Sequence, residues 1–255
     1  MSHKSEAAYR ALFSYVRYTL CPQMDPRRIV TDYETSLQNA LRQAFPAAVC
    51  SGCWFHYTQA LFRNAKRRGL HQLLQNDPNA WKVISMAMAL PLLPSNQIAA
   101  GFQNVRNFAL QHNLANAMGP WLDYVQTQWL TNVGADVISV HMQRHRTTNC
   151  VESFHNRLRL WFNNIAHPNI WFFTDKLRQV EMSSSLDMDR LDRGLDIRRS
   201  RNRRYVLQDE RIRRATQRLA NNLIDVGQFL NIASYLAGTV DRFLAMNLQD
   251  DDDVG

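Results

Sequence analysis

"RRIVTDYETSLQNALRQAFPAAVCSGCWFH", residues 27 to 56, decides the fold. "RRIVTD" (27–32) is short and apolar with β-branched residues at its centre, which predicts a buried strand. Leu37, Ala40, Leu41, Ala44 and Phe45 then recur at helical spacing, and Pro46 stops them. "AAVCSGCWF" (47–55) predicts a second strand that continues through Trp54, with Gly52 as a candidate bulge. Strand, helix, strand in this order is the pattern of a parallel crossover.

Outside this stretch the periodicity is helical almost throughout. Tyr9, Leu12, Phe13, Val16 and Leu20 predict an amphipathic helix over about 5–20, broken by "CPQMDP". Helices are expected at 57–75, 79–90, 96–112 and 116–131, and a short strand at "DVISVH" (136–141). Further helices are expected at about 150–164, 170–187, from 208 onward, 217–233 and 234–246, followed by a disordered acidic tail at 247–255. Two strands alone do not make an independent sheet, because isolated pairs are marginal in water. Either the sheet gains strands elsewhere or the chain is a fragment of a larger fold.

With 255 residues, 45% hydrophobic and 20% charged, the chain has an ordinary globular balance in one large domain or two small ones. No apolar run approaches the ~20 residues of a membrane span. "ISMAMALPLL" (84–93) is too short and contains Pro91, and the N-terminus has no apolar segment of a secretory signal. Four cysteines are too few for a disulfide scaffold of this length, so reduced thiols are expected.

The net charge of +8 is unevenly spread. Eleven arginines lie between Arg190 and Arg218, a pattern that favours a polyanion, most often nucleic acid. The plainer explanation is a solvated helical face with partners such as Asp187, Asp189, Asp192 and Asp196. "RRSRNRR" (198–204) also suits a nuclear localisation signal. Arginine clusters attract phosphates rather than read bases. The candidate contacts to a DNA backbone are Arg159, Arg198, Arg199, Arg201, Arg203 and Arg204.

Three places carry candidate chemistry. Asp32 stands at the C-terminal end of the first predicted strand, where open α/β sheets bind ligands and a carboxylate suits a hard cation. Thr31 and Glu34 could instead form a capping box. Cys50, Cys53 and His56, with His141 and His145 far downstream, have the residue types of a zinc site. The long gap and the alternation of strand side chains argue against structural zinc. Glu152 lies three residues after Asn149, again a capping box, and shares a polar stripe with His155, Asn156 and Arg159. That stripe combines a carboxylate, an imidazole and a guanidinium, which suits phosphate and metal work.

Taken in order, "IVTDYETSLQNALRQAFP", "GCWFHYTQALFRNAKRRGL" and "RTTNCVESFHNRLR" resemble a Mutator-like element (MULE) transposase domain over about residues 5–180. The resemblance implies a helix-rich α/β chain with a partial ribonuclease H-like fold. It also implies an all-helical insertion at about 57–135 and a basic helical C-terminal region at 181–246. It makes Asp32 the second aspartate and Glu152 the final glutamate of a D-D-E triad. Cys53 and His56 become the family's C-x2-H motif. In such a site Mg²⁺ or Mn²⁺ held by carboxylates activates water or a 3′-hydroxyl for attack on DNA phosphate.

The first aspartate and the leading strands have no counterpart here: Glu6 opens a helix and Asp25 sits between prolines. The expectation is therefore a transposase-derived nuclear protein, truncated and catalytically inactive alone, that keeps DNA contact. One alternative is an active recombinase whose missing part lies upstream of this gene model. Another is a helical protein-interaction module without nucleic acid. The bared strand edge predicts self-association.

Overall fold

The computed structural model describes residues 5–195, 197 and 203–237. Two compact units divide the chain: Met1–Thr148 with Gln208–Gly255, and Asn149–Leu207.

The first unit begins with α1 (Glu6–Tyr15). Ser5 caps it, its hydroxyl accepting from the Ala8 amide at 3.3 Å, and Glu6 favours the positive end of the helix dipole. A π-helical turn, Val16–Leu20, ends it. Next come β1 (Arg28–Thr31), α2 (Thr35–Ala44) and β2 (Val49–Gly52). The strands pair in parallel, from Arg28 with Val49 to Thr31 with Gly52, so the crossover predicted from sequence is present. α1 packs on α2, and Asn39 on α2 donates to the Glu6 carboxylate at 3.1 Å.

Four local expectations are corrected here. Gly52 is in register with Thr31 and is no bulge. β2 stops at Gly52 and Trp54 starts a helix, because Cys53 adopts the extended conformation of an N-cap residue. Thr31 and Glu34 form no capping box: α2 begins only at Thr35, and the Thr31 hydroxyl donates to the Asp32 carbonyl. β1 is half-buried rather than buried, since only Thr31 is enclosed and Arg28 is exposed. Among the described residues the sheet has two strands.

The core of this unit is helical. α3 (Trp54–Arg67) buries Trp54, Tyr57, Thr58, Leu61, Phe62 and Ala65, one stripe at three- and four-residue spacing. The expected helix 57–75 is split. Gly69, at φ +74°, turns the chain, and α4 (His71–Asn76) follows. α5 (Pro78–Ala89) is capped by Asp77, with Pro78 in its first turn. It buries Ala80 and every residue from Val83 to Ala89, which makes it the central helix. Its last carbonyls have no partner within the helix and receive donors from α3. Trp54 Nε1 reaches Met88 O at 2.8 Å, and the Tyr57 hydroxyl reaches Ala87 O at 3.0 Å.

α6 (Ser95–Gln111), α7 (Ala115–Tyr124), a π-helical stretch Val125–Gly134 and α8 (Ala135–Ile138) follow. The strand expected at 136–141 is absent. Its apolar residues have another use: Ile138 and Val140 are buried, and the Val140 amide donates to Pro91 O at 2.8 Å. β-branched residues packed into a core mimic a strand signal without needing a sheet.

The second unit holds α9 (Asn149–Trp161) and α10 (Ile170–Asp192). Asn163 and Asn164, both at positive φ, turn the chain between them, and Asn169 caps α10. Phe162 stacks on Phe173 with ring centroids 5.5 Å apart. No described side chain of α9 or α10 is buried.

The chain then forms α11 (Arg203–Ala220), which starts earlier than predicted, and α12 (Val226–Ala237). The expected break near 233 is not there: α12 crosses it, and the interruption falls at 221–225, with Asn222 at positive φ. α12 packs on α5 and α6, burying Phe229, Leu230 and Ala233. The acidic tail lies outside the described residues. No described helix is long and apolar enough to cross a membrane.

Candidate functional site

Asp32 follows β1 directly, and its side chain is 59% exposed. Its backbone is held from below. Gln38, buried in the first turns of α2, donates to Asp32 O at 2.9 Å and to Thr31 Oγ1 at 3.3 Å. Beside it, His56 in the first turn of α3 places Nδ1 3.3 Å from Asp32 Oδ1, an approach of ion-pair length. The structure therefore brings together two residues that are 24 positions apart in sequence, Asp32 and the histidine of C-x2-H.

Cys53 takes a different part. It is fully buried, and its amide donates to Thr31 O at 2.7 Å, extending the parallel ladder by one bond. Its sulfur accepts from the Thr148 amide at 3.3 Å and from the Thr148 hydroxyl at 3.4 Å. The next amide, that of Trp54, donates to Arg146 O at 2.8 Å. The turn from β2 into α3 thus clasps residues 146–148, the segment that leads into α9. Sequence reading missed this clasp. Its only trace was the small polar pair Thr147–Thr148 just before the glutamate helix.

Tyr33, next to Asp32, lays its ring against Gly52. A Cβ on Gly52 would stand 2.2 Å from that ring. The ring also meets Trp129 edge-on at 4.7 Å. The ring edge is half-buried, but the hydroxyl oxygen is covered and has no hydrogen-bond partner among the described residues. Burial, with the Cys53 sulfur adding to it, pushes the phenol pKa far above its ordinary value.

Cys50 is half-buried, and burial raises its thiol pKa. His141 Nδ1 lies 3.0 Å from Leu92 O. Among the described residues no three His, Cys, Asp or Glu side chains gather as metal ligands. Glu152 is exposed in the first turn of α9, in the second unit, and Arg159 is exposed on the same helix. The Asn149 side chain, and with it the proposed cap, lies outside the described residues. So do Arg198, Arg199, Arg201 and the side chain of Arg204. Arg203 is exposed at the start of α11. Several expected ion pairs are present: Arg190 with Asp187 at 3.4 Å and Arg193 with Asp189 at 2.8 Å.

Residues 1–60 match the family model of the MULE transposase domain. That span contains β1, Asp32, β2 and the C-x2-H pair. These residues are similar to a MULE transposase domain. No curated protein and no solved structure matches the chain. The MULE match ends within α3, so Glu152 and the arginine-rich region fall beyond it.

The donor set of this MULE segment can be weighed against what the family's chemistry needs. Two-metal phosphoryl chemistry needs several carboxylates around ions ~3.5–4 Å apart, and Mg²⁺ prefers oxygen ligands. Among the described residues of the first unit, a contact of ion-pair length at Asp32 joins one carboxylate and one imidazole. This pair does not fit a two-metal centre by itself.

Proposed function

We propose that this chain is a MULE transposase-derived protein that does not cut or join DNA by itself and keeps contact with DNA through its arginines. One observation supports the inactive part: His56 Nδ1 stands 3.3 Å from the Asp32 carboxylate, and among the described residues no three metal-ligating side chains gather. We read β1, α2 and β2 as part of a ribonuclease H-like sheet and Glu152 as the remaining metal-ligand candidate. Nuclear location is proposed from the run "RRSRNRR".

The test is nicking of supercoiled plasmid by the purified full chain in Mg²⁺ or Mn²⁺. No nicking above background is expected. Robust nicking that disappears in Glu152→Gln would overturn the inactive reading and favour an active recombinase.

A second reading, a helical interaction module, is favoured by the second unit. There Trp171 is 83% exposed and no described side chain of either helix is buried. Salt decides between the two. A protein that neutralises several phosphates loses affinity steeply as salt rises, whereas a module without nucleic acid binds no DNA even at low salt.

A further inference from the structure

α11 and α12 enclose a groove of about 370 Å³, within the size range of ligand sites, roughly 300–1,000 Å³. Arg211, Arg214 and Arg218 line one wall. Their spacing of three and four residues puts all three on one face of α11. Ala215 and Ile232 form an apolar floor, and Tyr235 stands on the opposite wall, 74% exposed. Lys82, from α5, brings its Nζ 3.7 Å from the Tyr235 ring centroid and donates to Asn231 O at 3.1 Å. Four cations therefore border the groove. Among the described residues one carboxylate pairs with them: Glu210, with Arg214 at 2.6 Å. Among the described residues Arg211 and Arg218 have no ion pair.

We propose that this groove binds a single strand of DNA, with the arginines on successive phosphates and a base against Tyr235. Seven residues of helix span about 10 Å. That is roughly three steps of one strand, at ~3.4 Å per nucleotide. A cationic wall alone would suit any polyanion. The apolar floor and the exposed aromatic ring distinguish the occupant, because single strands present base faces that stack on aromatic side chains. A duplex hides those faces and would leave the floor unused. An acidic peptide would satisfy the arginines but not the ring. The choice of DNA over RNA rests on the transposase-derived reading above.

The experiment is fluorescence anisotropy of the full chain with a labelled 20-mer of thymidine, the same-length duplex, the ribo-oligomer and poly-aspartate. The parent protein is expected to bind the DNA single strand most tightly. Arg211→Ala, Arg214→Ala and Arg218→Ala combined should lower the slope of log K against log salt by about 2, at ~0.7 for each lost phosphate contact. Tyr235→Ala should weaken binding on the order of tenfold, and Tyr235→Phe should restore it. Glu210→Gln frees Arg214 and should tighten binding, a gain that misfolding cannot produce. If the parent binds but the triple variant keeps its affinity and slope, the groove is not the site, while DNA contact through other arginines stands. Preference for duplex, RNA or poly-aspartate overturns the single-strand proposal. Failure of the parent to bind any nucleic acid at low salt overturns both this inference and the DNA-contact reading.

Discussion

The Tyr33 hydroxyl is covered on every side and has no hydrogen-bond partner among the described residues, while its ring fills the space that Gly52 leaves open. A buried unpaired hydroxyl costs about 1–3 kcal/mol. Tyr33→Phe keeps the ring and removes that cost, so it should raise stability by about 1 kcal/mol in urea unfolding. The same burial sets a pH limit. Tyr33 and Tyr57 both have phenols pushed well above the ordinary value of 10.0. Below pH ~10 folded and unfolded chains hold these protons equally. Above it the unfolded chain releases them first and the folded chain does not. Stability should therefore fall as pH rises past 10, by up to ~1.4 kcal/mol per unit for each tyrosine. Unfolding free energies at pH 9, 10 and 11 check this, and a parent slope no steeper than that of Tyr33→Phe would contradict it.

Among the elements, the largely buried α5 shows how sequence signals become packing. Asp77 accepts from the Asn79 amide at 2.8 Å, and Pro78 presets the first turn. At the other end Trp54 and Tyr57 supply the donors that the helix cannot supply itself. Asp77→Ala should cost about 1 kcal/mol through the lost cap, read as a lower melting temperature with unchanged helix content. The β1–α2–β2 crossover could be anticipated, because it depends on residues close in sequence. The 136–141 segment could not. Its β-branched residues carry the same apolar signal whether they pair in a sheet or pack under helices. Only the position of Pro91–Leu93 beside them decides which.

As a whole, the molecule divides its apolar residues unevenly. The first unit buries a continuous helical core. The second exposes Leu160, Ile170, Trp171 and Met182, and α1 with the π-helical turn after it leaves Tyr15 and Tyr18 largely open. Large exposed apolar surfaces mark interaction sites or aggregation liabilities, and a two-stranded sheet presents outer edges to other chains. Self-association that rises with concentration is expected in light scattering coupled to size exclusion. A clean monomer at high concentration would count against it.

The MULE segment was legible because its strand, helix, proline and C-x2-H pair lie within the first 60 residues, where family pattern and local periodicity agree. The sequence by itself determined the crossover, the helix-rich character of the chain, and the residue types available for chemistry. All of these follow from short-range spacing and the conformational limits of proline, glycine and asparagine. Only the tertiary structure decided that His56 faces Asp32, that the Cys53 sulfur meets Thr148, and that Arg211, Arg214 and Arg218 share a groove with Tyr235. Those facts join side chains far apart along the chain, and their meeting depends on how whole helices pack around α5, which no local pattern encodes.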